Sequence, residues 1–125
     1  MRFPLVAALA LCISIFASGE ASSYTSGSGH DYDMTCNQNG YVLHSTSPVS
    51  RWVFGEVGSN TYTVRQTEVI YLGRSCDAQT EIMGAGEWCW ANGGFVVEFD
   101  GGRLTFPRQE LLCLEYENLG DDCLC

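Results

Sequence analysis

Cysteine placement constrains this chain more than any other feature. Of its seven cysteines, six lie beyond an N-terminal apolar run: Cys36, Cys76, Cys89, Cys113, Cys123 and Cys125. An even number of cysteines behind an export signal reads as a disulfide framework, because thiols oxidise and stay oxidised outside the cytoplasm. A zinc site would bring two close cysteine pairs; here only Cys123 and Cys125 are close, with a single residue between them. Three disulfides are therefore expected, with no metal and no cofactor. Their pairing stays open, although Cys123 and Cys125 are expected to bond elsewhere rather than to each other and so to tie down the C-terminus.

The run that precedes them has the order of a secretory signal. Met1-Arg2 supplies positive charge, Phe3 to Phe16 is broken only by Ser14, and Ala17-Ser18-Gly19-Glu20-Ala21 supplies small residues for cleavage. The run falls short of the roughly 20 apolar residues that a spanning helix needs. Cys12 follows Leu11 inside that run, which argues against a lipid anchor there. Residues 1–21 are read as a signal peptide, and the mature chain as periplasmic or extracellular. It would hold 104 residues, one domain's worth, with five arginines, fourteen carboxylates and no lysine. With a net charge of −9, it lacks the clustered cations that nucleic acid or an anionic lipid surface requires. Such a charge makes for solubility and steers cationic partners. No Asn-x-Ser/Thr acceptor occurs, which favours a bacterial envelope.

Residues 22–32, with Ser22-Ser23-Tyr24-Thr25-Ser26-Gly27-Ser28-Gly29, read as a flexible Ser/Gly-rich leader. Residues 33–125 read as a single disulfide-stapled domain. In it, short β-branched and aromatic runs alternate with Asn39-Gly40, Gly58-Ser59-Asn60, Gly84-Ala85-Gly86, Asn92-Gly93-Gly94 and Asp100-Gly101-Gly102, spaced as hairpin turns. Strands are expected near 34–37, 41–45, 51–54, 61–72, 87–91, 95–100 and 103–106. The run 61–72 is too long to lie flat, and its alternation slips at Thr67-Glu68-Val69-Ile70, so it bends, bulges or spans two sheets. After Pro107, segment 108–118 is expected to hold a short helix, given Pro107 before it and Gly120 after it; the alternation of Leu112, Leu114 and Tyr116 favours a strand. The expected fold is mostly β, a small antiparallel sandwich or barrel with three disulfides and at most one short helix near the C-terminus.

The stretch from Glu87 to Phe106 says most about the core. With two-residue loops at Asn92-Gly93 and Gly101-Gly102, Trp90 faces Phe95, Trp88 faces Val97, Phe99 faces Leu104 and Val97 faces Phe106. One face then collects Trp88, Trp90, Phe95, Val97, Phe99, Leu104 and Phe106, an apolar patch too large to be left bare. Cys89 falls on the other face and suggests a staple running over it. The first register sets Glu87 opposite Glu98, an unfavourable like-charge pair, while the alternative sets Glu87 opposite Asp100 and is no better.

Chemistry-bearing patterns are sparse. His30 lies in the leader and His44 on an expected strand, and neither stands by a nucleophile elbow or a free thiol. Glu98 and Asp100 are a carboxylate pair on a solvent face. His30-Asp31-Tyr32-Asp33 offers metal-ligand types without a calcium-loop pattern. Trp52 is expected to be partly exposed, and Glu115, Glu117, Asp121 and Asp122 form an acidic end. These five residues are the candidate binding positions, and no catalytic residue is assigned.

In size, export and β-pattern the chain is similar to bacterial periplasmic inhibitors of lysozyme, which are small, exported, cysteine-linked β-barrels. Such inhibitors insert a Ser-Gly-rich loop into the lysozyme cleft; here Ser26-Gly27-Ser28-Gly29 falls in the expected leader, so no residue is carried across. The leading expectation is an exported, non-enzymatic binding module for a cationic protein or a glycan. The alternatives are a periplasmic inhibitor of a cationic hydrolase such as lysozyme, and a small secreted hydrolase.

Overall fold

A computed structural model describes residues 22–54 and 61–125. The expected signal peptide and the turn Gly58-Ser59-Asn60 lie outside the described residues. Ten strands follow one another, with no helix among the described residues: β1 (Ser22–Thr25), β2 (Asp31–Asn37), β3 (Gly40–Ser45), β4 (Val49–Phe54), β5 (Thr61–Gln66), β6 (Val69–Gly73), β7 (Asp77–Thr80), β8 (Gly84–Ala91), β9 (Gly94–Phe99) and β10 (Gly102–Phe106). Eight form an antiparallel sheet in the order β1-β2-β3-β6-β7-β8-β9-β10, and β4 and β5 pair as a separate ribbon. The long run 61–72 passes between the two sheets, turning at the slip in its alternation.

The eight-stranded sheet curls until its edges nearly meet. Gly27 N donates to Thr105 O at 2.8 Å across the seam. Next to it, the Gln109 side-chain amide stands in for a strand: Thr25 N donates to its Oε1 at 2.6 Å, and its Nε2 donates to Thr25 O at 2.7 Å. The seam thereby satisfies groups that an open edge would expose to aggregation.

The interior follows from alternation. Tyr32 and Met34 of β2, Leu43 of β3, Ile70 and Leu72 of β6, and Ala78 of β7 point inward and are buried. Trp88, Phe95, Val97, Phe99, Leu104 and Phe106 join them, and Trp90 is half-buried against the same cluster. Phe95 and Phe106 are cross-strand partners and stack with ring centroids 4.5 Å apart.

The first hairpin of this meander has Trp90 opposite Phe95 and Glu87 opposite Glu98. Its loop is Asn92-Gly93, with φ of 54° and 70°, the doubly left-handed turn that matches strand twist. Arg103, paired with Glu98 across β9 and β10, offsets the Glu87–Glu98 repulsion. The second hairpin differs from expectation. Its loop is Asp100-Gly101, so Leu104 faces Val97 and Phe106 faces Phe95. The pairing is displaced by two residues, which keeps every side chain on its expected face.

Two expected segments are corrected. Residues 22–32 are no loose leader: β1 pairs with β2, and Tyr24 and Tyr32 are buried. Two large aromatic side chains give this Ser/Gly-rich stretch the apolar area that composition alone concealed. Segment 108–118 forms no helix. Tyr24 Oη donates to Glu110 O at 2.8 Å and accepts from Leu112 N at 3.4 Å, diverting backbone groups that a helix would pair internally.

The disulfides are Cys36–Cys113, Cys76–Cys123 and Cys89–Cys125. Each joins the barrel to the C-terminal segment, consistent with an oxidising compartment. That segment covers the end of the barrel where turns 38–39, 74–76 and 92–93 lie. It also supplies a missing strand: β8 outruns β7, and Trp90 N donates to Cys123 O at 2.7 Å beside a parallel bridge from Trp90 to Leu124. The opposite end, with turns 26–30, 46–48 and 100–101 and the ribbon, carries no disulfide.

Candidate functional site

At the disulfide-free end, the Ser-Gly-rich segment links β1 to β2 as a tight polar loop. Ser26 N donates to His30 O and Gly29 N to Ser26 O, both at 2.8 Å. Ser26 Oγ is buried; it accepts from His30 N at 3.1 Å and lies 3.0 Å from Ser28 Oγ, which in turn contacts His30 Nδ1 at 3.1 Å. Gly27 fits because a Cβ there would come within 2.5 Å of Thr105 Oγ1. Gly29 takes φ +90°, a conformation that glycine adopts without strain. Ser28 and Gly29 are thus held exposed on a loop whose shape is set before any partner arrives.

The β4–β5 ribbon leaves the barrel at the same end, inserted between β3 and β6. A two-stranded ribbon is marginal alone, and this one is pinned at its base. Arg51 of β4 donates from Nε to Glu68 Oε2 at 2.8 Å and from Nη2 to Glu68 Oε1 at 2.7 Å. Tyr32 Oη donates to the same Oε1 at 2.8 Å, and Ser45 Oγ accepts from Glu68 N. Burial, together with the Glu68 charge and its hydrogen bond, pushes the Tyr32 phenol above its ordinary range. The hydrogen bond to Glu68 holds the Arg51 guanidinium more firmly protonated. Trp52 and Tyr62 project from the ribbon, Trp52 with 72% of its surface exposed.

The disulfide-capped end holds a groove of about 550 Å³ walled by Trp90, the Asn92-Gly93 turn, Glu110, Leu111 and Asp121. Trp90 is fixed there by Nε1 donating to Gly120 O at 2.8 Å. A smaller groove of about 310 Å³ shares Leu111 and Asp121 and adds Tyr41, Leu112, Tyr116 and Glu117. Burial and the Asp121 charge raise the Tyr41 phenol.

The expected binding residues fall at opposite ends. Trp52 is on the ribbon, whereas Glu115, Glu117, Asp121 and Asp122 are on the capping segment. Asp121 walls both grooves, Glu117 lines the second, Asp122 lies with Asp121 beside Arg74, and Glu115 is exposed. Sequence reasoning missed Glu110, the groove face of Trp90, and the Tyr32–Glu68–Arg51 set. Parity could have found Glu68, which shares its phase with inward-pointing Ile70 and Leu72. His44 is exposed on β3, opposite Asp33. Tyr32 turns into the core while Asp31 and Asp33 face solvent, and among the described residues no group of three or more His, Cys, Asp or Glu side chains is placed to hold a metal.

Comparison with protein-family models, curated proteins and solved structures finds no match to this chain.

Proposed function

We propose that this chain is an exported, non-enzymatic binding module whose partner is a cationic hydrolase of the lysozyme kind, captured at the disulfide-free end of the barrel. One observation carries the reading: Ser26-Gly27-Ser28-Gly29 is an ordered polar loop anchored to β10, with Ser26 buried beneath it and Ser28 and Gly29 exposed. Periplasmic lysozyme inhibitors, which this chain resembles in size, export and β-pattern, insert a Ser-Gly-rich loop into the lysozyme cleft. A loop shaped in advance loses little entropy on insertion into a cleft, and a net charge of −9 steers a cationic enzyme toward it.

The test is a cell-wall lysis assay with the oxidised protein against lysozymes of several types, at low and high salt. Inhibition at low salt is expected, weakened by added salt and reduced about tenfold by Ser28→Ala through a lost interfacial hydrogen bond. No inhibition of any type at low salt would overturn the proposal.

The capped-end groove is the specific observation behind a second reading, a small secreted hydrolase. Glu110 and Asp121 wall one groove beside Trp90, and glycoside hydrolysis uses a carboxylate pair. Its general acid holds a proton at neutral pH by burial in apolar surroundings. Both carboxylates here are exposed, which ranks this reading below binding. Loss of glycan cleavage in Glu110→Gln would raise it.

A further inference from the structure

We infer that segment 110–121 is a docking surface for an extended, amphipathic, cationic peptide, separate from the disulfide-free end. The segment exposes three apolar side chains within five residues, a local cluster rather than scattered single positions: Leu112 at 62%, Leu114 at 89% and Tyr116 at 40%. They are spaced two apart, with Glu115 and Glu117 between and after them, and Cys113 between the two leucines is bonded to Cys36 of β2. The disulfide fixes the middle of the strip, so the apolar side chains are presented on an anchored backbone.

Leu112 and Tyr116 of the strip line the second groove, which shares Leu111 and Asp121 with the first. Four carboxylates, Glu110, Glu115, Glu117 and Asp121, stand on this segment, and Asp122 follows it directly. Two arginines adjoin it: Arg74 beside Asp121 and Asp122, and Arg108, whose backbone passes the Gly93 turn. The surface is therefore acidic as well as apolar. Trp90 offers a ring for a cation to approach, with Glu110 and Asp121 on the same groove wall.

Charge selects the occupant. A second copy of this chain would bring another −9 and the same carboxylates onto the patch, and anionic lipid would be repelled in the same way. A peptide alternating cationic and apolar side chains matches both features of the strip, its apolar groups on Leu112, Leu114 and Tyr116 and its cations on the glutamates and Trp90.

The probe is a synthetic peptide of alternating leucine and arginine, titrated into the oxidised protein by calorimetry and tryptophan fluorescence. Binding is expected, with Leu112→Ser/Leu114→Ser and Glu110→Gln/Glu117→Gln each weakening it about tenfold. Only the glutamate variant should also reduce its salt dependence, and Tyr71→Ser, on β6, should leave binding unchanged. All these positions are exposed, and a melting curve checks that each variant is folded. Failure to bind, equal binding by all variants, loss confined to Tyr71→Ser, or a dimer dispersed by Leu112→Ser/Leu114→Ser would each overturn the inference. Lysozyme inhibition is read separately, so its failure leaves this test intact.

Discussion

Arg51 grips Glu68 with two hydrogen bonds, of 2.8 and 2.7 Å, and through that contact the β4–β5 ribbon is fastened to the barrel. Glu68 is 2% exposed, so removing its partner would strand a charge out of water. Arg51→Ala is expected to cost about 3 kcal/mol, the usual penalty for breaking a buried pair. Replacing both partners, as Arg51→Met/Glu68→Leu, is expected to recover part of that loss, since the buried Tyr32 hydroxyl is then left without its acceptor. Hydrogen exchange should show the ribbon amides opening first in Arg51→Ala. A double variant no more stable than the single one would show that the pair does not act as described.

Alkaline stability should depend on Tyr32. Its phenol is pushed up from the ordinary 10.0 by burial first and then by Glu68, so the folded form holds this proton more tightly than the unfolded chain does. The stability it contributes is complete below about pH 10, and is lost as pH rises through the higher folded value. Tyr24 and Tyr41, raised by burial, add in the same sense. Melting temperature is expected to fall above this point, and Tyr32→Phe to flatten the fall by up to about 1.4 kcal/mol per pH unit. An unchanged slope in Tyr32→Phe would contradict the assignment.

Gly120 and Gly29 separate close packing from backbone strain. Both have positive φ, +77° and +90°. A Cβ on Gly120 would come within 2.4 Å of the Trp88 ring, whereas one on Gly29 would meet nothing within 4 Å. Gly29→Ala should cost about 1 kcal/mol of conformational strain. Gly120→Ala should cost roughly 2–4 kcal/mol, because overpacking adds to the strain, and should shift tryptophan fluorescence. Equal losses in thermal melts would mean that the C-terminal segment yields more easily than this packing implies.

Hairpin geometry was legible where local rules decide it. Asn92-Gly93 selects a left-handed two-residue turn, and from that turn the pairing of Trp90 with Phe95 and the aromatic face follow. Rules of local composition failed where a distant partner decides. Ser22 to Gly29 looks like a linker until Tyr24 and Tyr32 find the core, and segment 108–118 looks helical until Tyr24 and Cys36 claim its backbone and its cysteine. The grooves were invisible for the same reason: Glu110 and Asp121 meet Trp90 only after three disulfides fold the C-terminal segment back on the barrel. The acidic end was nonetheless readable as charge, and Trp52 as an exposed aromatic.

Those disulfides should not be equivalent. Cys36–Cys113 closes a separation of 77 residues and Cys89–Cys125 one of 36. Loop-closure entropy alone makes the first worth about 0.7 kcal/mol more than the second. Position widens the gap: Cys36–Cys113 anchors the segment that supplies Glu110 and Leu111, while Cys125 is exposed at the end of the chain. Alanine replacement of Cys89 and Cys125 should leave a folded barrel with a lowered melting temperature. Replacement of Cys36 and Cys113 should lower it further and weaken binding of the leucine-arginine peptide. Full reduction removes three constraints of roughly 2–4 kcal/mol each, comparable to the 5–15 kcal/mol that typically separates folded from unfolded domains. The reduced protein is therefore expected to lose its near-ultraviolet circular dichroism at physiological temperature. A reduced chain that melts within a few degrees of the oxidised one would mean that the aromatic core carries the fold without its staples.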